Sequence, residues 1–185
     1  MSTTWIVIGI IAVILILMYN SLIGKKNEVE NIFAGVDAVL KKRYDLIPNL
    51  VASVSQYMEH EKGLLEKVTE LRAQATKPNL SDERVIELDK QITSALGSIM
   101  IAVEDYPELK ANENVMHLQR SLNEVEAQIA AARRAYNQAV TDYNNAIEMI
   151  PTNIMANFMR YKRKEVFEIS EGERENVDVH AMFNR

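Results

Sequence analysis

The sequence predicts an all-α protein: an N-terminal transmembrane helix, an elongated antiparallel bundle of three long helices, a short C-terminal helix and an extended tail. Three observations predict it. Residues 5–19 read WIVIGIIAVILILMY, with no charge and no proline. The rest of the chain carries long apolar stripes at three- and four-residue spacing. Helix breakers are scarce, with 6 Gly and 4 Pro in 185 residues, and Ala, Leu, Glu, Lys and Arg favour helix.

The apolar run divides the chain. We place a tail at residues 1–3, a transmembrane helix at 4–23, a helical bundle at 24–164 and an acidic tail at 165–185. Roughly 20 residues of helix reach ~30 Å, the thickness of a bilayer core. Trp5 and Tyr19 suit the two interfaces, where amphipathic rings settle. A cleaved signal peptide would want a basic region before the run and small residues at a cleavage site. Neither Lys nor Arg precedes Trp5, and Met18-Tyr19-Asn20 fits poorly, so the sequence favours a retained anchor. Lys25 and Lys26 follow the span, with Lys41, Lys42 and Arg43 beyond. The positive-inside rule then puts the C-terminal domain in the cytoplasm and the N-terminus outside, in a single-pass topology.

The first soluble helix is expected from Asn27 to about Ala75. Val29, Ile32, Val36, Val39, Leu46 and Leu50 form one stripe; Phe33, Leu40, Tyr44, Ile47, Val51 and Val54 form a second beside it. A face this broad expects more than one neighbour. Pro78 breaks the pattern, and Asn79 and Ser81 are good N-cap residues. A second helix follows on Val85, Leu88, Ile92, Ala95, Ile99, Ala102, Tyr106 and Leu109. A turn is expected between Tyr106 and Asn114, around Pro107. The third helix has a continuous heptad stripe from Val115 through Leu122, Ile129, Tyr136 and Tyr143 to Ile150, and Pro151 ends it. An up-down-up order places the turn near Tyr106 close to the bilayer, and Pro78 and Pro151 at the far end.

Composition narrows function. The net charge of -5 does not suit a nucleic-acid binder. The absence of cysteine removes disulfides, thiolate metal sites and thiol catalysis. His60, His117 and His180 have no ligand-like spacing, and no metal or cofactor is implied. No P-loop or nucleophile-elbow motif occurs.

Several segments carry interaction or structural signals. In RYDLIPNL, residues 43–50, Pro48 sits inside a helix pattern and frees the carbonyl of Tyr44, for which Arg43 or Asn49 is a candidate partner. Lys41 and Asp45 are an i, i+4 pair. Tyr136-Asn137 and Tyr143-Asn144 repeat at seven residues, placing polar groups along the seam. Arg133 and Arg134 are adjacent and point apart; one is a candidate for pairing with a glutamate of the first two helices, and a solvated face is the default. The basic segment FMRYKRK, residues 158–164, is a candidate contact for anionic lipid, a partner protein or a neighbouring protomer, with a plain solvated helix end as the default reading. The expected topology holds it far from the chain's own membrane. Beyond it Glu165, Glu168, Glu171, Glu173, Glu175 and Asp178 make an acidic tail that lies along the bundle or a neighbour.

RYDLIPNL, the following Tyr57, His60 and Glu61, YPELKANEN (with Tyr106, Pro107 and Asn112), ARRAYNQAVTDYN at 132–144, and IPTN (with Pro151 and Asn153) together resemble the bacterial LemA family. Order and spacing agree from the membrane helix to about Phe167. The resemblance implies a membrane-anchored protein with a helical soluble part. Phe33 stands where such proteins commonly have Trp.

The functional expectation is a non-enzymatic scaffold at the bacterial inner membrane. It is held in the lipid bilayer by residues 4–23, it forms a homo-oligomer, and it organises membrane or cytoplasmic partner proteins. The alternative is a sensor or regulatory module that recognises a ligand or partner through the 43–50 and 136–144 surfaces.

Overall fold

The computed structural model describes residues 2–167, with side chains from Thr3 onward. The acidic positions from Glu168 onward, Gly172 and His180 lie outside the described residues. All regular elements among the described residues are helices: α1 Ser2–Val54, α2 Lys62–Ala75, α3 Asp82–Val103, α4 Pro107–Lys110, α5 Glu113–Glu148 and α6 Thr152–Phe158.

Helix α1 has 53 residues, ~80 Å at 1.5 Å per residue. Its first third is exposed on every side, from Trp5 through Leu17. Burial begins at Leu22 and continues through Val29, Val36, Leu40, Ile47, Leu50 and Val54. Helix α5 runs antiparallel along this second part. Glu126 pairs with Arg43, the Tyr136 ring meets Phe33 at 5.3 Å, and Asp142 lies 3.6 Å from Lys25.

The first correction concerns the helix expected from Asn27 to Ala75. The chain leaves helix after Val54, turns through residues 55–61, and α2 folds back along α1. The backbone carbonyl of Tyr44 accepts a bond from Arg72 Nε at 2.8 Å, which requires this reversal. Neither Gly nor Pro marks the turn. The apolar phase runs straight through it because Val54, Met58, Leu65 and Val68 all enter the same core. Four long helices therefore replace the three expected.

That missed reversal inverts every later direction. Tyr106 donates to Glu61 Oε2 at 2.6 Å, so the α3–α5 turn sits at the tip farthest from the apolar run. The Pro78 loop lies beside Glu30, Phe33 and Asp37, and Pro151 follows the end of α5 that lies nearest the apolar run. The expected placement of these turns was the opposite.

Local signals at the helix ends hold. Of the two N-cap candidates Ser81 caps α3, accepting from Arg84 N–H at 3.3 Å, while Asn79 does not cap and adopts φ 60° in the preceding turn. Pro107 occupies the first turn of α4, and Asn112 Oδ1 caps α5 at Asn114 and Val115. At the other end the Thr152 hydroxyl donates to the carbonyls of Ala146 and Met149, satisfying the last turn of α5. Ile150, expected to close the third stripe, lies beyond α5 and is 82% exposed.

Candidate functional site

Two polar arrangements lie on α5. The first joins α1, α3 and α5. Arg43 is fully buried, at a position in phase with Leu40 and Ile47. Its Nη2 reaches Asp89 Oδ1, and its Nη1 reaches Thr93 Oγ1 and Glu126 Oε1, both at 2.9 Å. Asp89 is 1% exposed and holds a second guanidinium, Arg133, through its other oxygen. Two cations thus face two carboxylates. Burial pulls the Arg43 pKa down, but Asp89 and Glu126 more than offset it, and the net direction is up. The guanidinium stays charged. A buried ion pair with both partners in place is tolerated; one left alone is costly.

Asp89, Thr93 and Glu126 were missed in the sequence. The available signal was phase: Arg43 on α1 and Asp89 on α3 are opposite charges at positions where neighbouring turns place Leu, Val or Ile. Arg133 is the one of the two adjacent arginines that pairs, on the second of the expected helices (α3), but with an aspartate where a glutamate was the candidate. Arg134 is solvated. The Tyr44 carbonyl freed by Pro48 goes to Arg72, not to Arg43 or Asn49, and Asn49 is exposed. Lys41 and Asp45 do pair, at 2.9 Å, on the surface. The Tyr44 hydroxyl is buried without a hydrogen bond. Burial, with the approach of Asp89, pushes its pKa up to about 12 against the lowering influence of Arg43.

The second arrangement explains the repeated Tyr-Asn pair. After α6 the chain runs extended through residues 161–167 along α5. Asn144 donates to the Lys164 carbonyl and accepts from the Lys164 N–H, both at 3.0 Å. Asn137 does the same with Phe167, both at 2.8 Å. Seven helical residues rise ~10.5 Å, and three extended residues advance ~10 Å, so the two repeats match. Each carboxamide imitates the edge of a β-strand. The Tyr143 hydroxyl donates to the Lys162 carbonyl at 3.1 Å.

Phe167 closes the clamp. It is 4% exposed, meets the Tyr136 ring at 5.4 Å and lies 5.6 Å under the Arg133 guanidinium. Burying such a ring stabilises by about 1.5–3 kcal/mol. Packing therefore extends past residue 164, where the bundle was expected to end. Burial pushes the Tyr136 and Tyr143 pKa values up, which keeps both phenols neutral.

The 43–50 and 136–144 surfaces, which the alternative reading gave to a ligand or partner, are largely turned inward. Arg43, Tyr44, Ile47, Leu50, Tyr136, Tyr143 and Asn144 are buried. The open concavity is elsewhere, a groove of about 700 Å³ between the end of α1 and α2. Val51, Met58 and Leu65 line it, with Glu59, Glu66 and Glu70 among its polar residues.

A family model described as the LemA family matches residues 32–180. The chain belongs to the LemA family. The match contains both polar arrangements; it begins after the apolar run and extends past Phe167. This LemA-family chain is similar to Protein LemA of Metamycoplasma hominis, 28% identical over 177 residues, covering 96% of this chain and 81% of that one. It is also similar to Magnetosome protein MamQ 2 of Paramagnetospirillum magneticum, 24% identical over 189 residues, covering 88% and 70%. Magnetosome protein MamQ of Magnetospirillum gryphiswaldense is 22% identical over 178 residues, covering 83% and 65%.

Proposed function

We propose that the chain is a non-enzymatic scaffold, anchored in the bacterial inner membrane by residues 4–23, that self-associates and organises partner proteins. In this reading the soluble helices lie in the cytoplasm and the N-terminus outside. One observation carries it. The N-terminal segment of α1 has a mean hydropathy of 2.7 over its most apolar window, and 6% of that window is buried. The same helix continues without a break into a core tied across three helices by buried charges. Such a helix transmits position from a bilayer to a stiff body. The likeness to LemA and MamQ proteins supports the family setting, and Lys25 and Lys26 support the orientation.

The test is the mass and shape of the full chain in nanodiscs, by light scattering and electron microscopy, beside a chain beginning at Lys25. A large symmetric particle with the anchor present is the expected result. Monodisperse monomers from both chains overturn self-association.

The groove between α1 and α2 favours a second reading, a regulatory module binding an apolar ligand or helix at the tip distal to the anchor. Saturable binding of such a ligand, abolished by Leu65→Arg, would favour it over the scaffold.

A further inference from the structure

We propose that the α5–α6 corner is a second membrane contact, seated on the headgroup layer of the bilayer that α1 crosses. This rests on the anchor in the reading above. The register of α1 against α5 places the corner. Asp142 lies beside Lys25, and the helices are antiparallel. Six further residues of α5, ~9 Å, bring Glu148 level with Tyr19, the aromatic residue that closes the apolar run. Helix α6 then packs on both α1 and α5. Leu22 is completely buried at this height, while Leu17 is 63% exposed.

The surface presented there is not one for water. Met149, Ile150, Ile154 and Phe158 are 63%, 82%, 70% and 86% exposed. Single exposed apolar residues are ordinary; four within ten residues at the foot of an apolar span form a patch. Ile154 and Phe158 are four apart on α6 and share a face. Ala156, between them, points into the core at 2% exposed. Between Glu148 and Glu165 the chain has no carboxylate and four cations: Arg160, Lys162, Arg163 and Lys164. Glu148 is paired with Arg163, and Lys164 with Asp82. Arg160 and Lys162 are exposed and have no ion pair among the described residues.

Apolar side chains flanked by exposed cations, at the depth where a bilayer changes from hydrocarbon to phosphate, fit an anionic lipid surface. The basic segment was assigned to the far end of the molecule on the sequence alone. The reversal at 55–61 brings it to the membrane. Two contacts would also fix the tilt of the rod, which one helix alone leaves free to swivel.

The chain has no cysteine, so single labels are unambiguous. Full-length protein carrying Phe158→Cys or His60→Cys is labelled with an environment-sensitive fluorophore. It is reconstituted in phosphatidylcholine vesicles with and without phosphatidylglycerol, plus lipids bearing a nitroxide near the headgroup. The expected result is quenching at position 158 at least about twofold stronger than at position 60, strengthened by phosphatidylglycerol and weakened by Arg160→Glu with Lys162→Glu. Equal quenching at both positions, in protein that still floats with the vesicles, overturns the second contact and leaves the anchor standing. A blue-shifted label at 158 that is not quenched by lipid, and that fades on dilution, replaces the bilayer with a second copy as occupant and overturns it too. Failure of the full chain to float overturns the anchor itself and this contact with it.

Discussion

Helix α5 carries two polar pairs at the same spacing, and their chemistry differs. Glu126 and Arg133 are seven residues apart and charged; Asn137 and Asn144 are seven residues apart and neutral. The first pair meets side chains of α1 and α3 in the core, through Arg43 and Asp89. The second meets the backbone of an extended segment. The charged set depends on all its members, since removing one strands an opposite charge in low dielectric. The carboxamides are self-contained, each satisfied by one residue of the segment, so either can be lost without exposing a buried charge. The same two-turn spacing thus gives an interlock in one place and a fastening strip in the other.

The largest effect should come from the interlock. Asp89→Ala leaves Arg43 with Glu126 alone and takes from Arg133 the carboxylate it pairs with, and should destabilise by about 3–5 kcal/mol. Chemical denaturation of the soluble helices measures it. A loss below about 1 kcal/mol would show that the charges do not hold α1, α3 and α5 together.

The strip should respond locally. Asn137→Ala and Asn144→Ala should each cost about 1–2 kcal/mol. Their signature is hydrogen exchange: the Phe167 and Lys164 amides, which donate to these side chains, should lose protection while α3 amides keep theirs. Equal loosening of α3 would mean that the strip is part of the global fold.

Arg72 tests a smaller contact. Arg72→Ala leaves the Tyr44 carbonyl without its side-chain donor and should cost about 1 kcal/mol. Pro48→Ala restores an N–H to that carbonyl, so the double variant should lose less than the sum of the singles. Strict additivity would mean that Arg72 does not compensate for the proline.

The smallest effect is titration. The Tyr44 hydroxyl has no hydrogen bond, and Tyr44→Phe should lie within about 1 kcal/mol of the native chain. Burial holds its pKa up at about 12. The Tyr106 phenol also rises to about 12, chiefly through its hydrogen bond to Glu61. A raised folded pKa keeps its contribution whole below pH ~10, the unfolded value, and loses it as pH climbs from there through the folded value. Stability should therefore fall over that alkaline window. Tyr44→Phe should flatten the fall, and an unchanged slope would assign it to other groups.

Much of this was legible in the residues. Val85, Leu88, Ile92 and Ile99 on α3, and Val115, Leu122, Ile129 and Tyr136 on α5, are buried as their spacing indicates. Ser81, Pro107 and Pro151 stand at or beside the helix boundaries they signal. The turn at 55–61 was not legible, because Met58 keeps the apolar phase of a continuous helix while the chain reverses. The charged interlock was half legible. Arg43 stood out only as a candidate partner for the Tyr44 carbonyl; its phase with Leu40 and Ile47 was readable, but its partner lies 46 positions away on another helix. The function of Asn137 and Asn144 was visible as a repeat, without its object.

The sequence by itself determined the helical class, the apolar N-terminal run, the family and most helix ends. These depend on local propensity, caps and periodicity, which act within a few turns. Only the tertiary structure decided the direction of each helix after Val54, the mate of each buried charge and which turns lie at the end of the molecule that carries the apolar run. Those are set by contacts between distant positions, and one unmarked reversal was enough to exchange the two ends of the molecule.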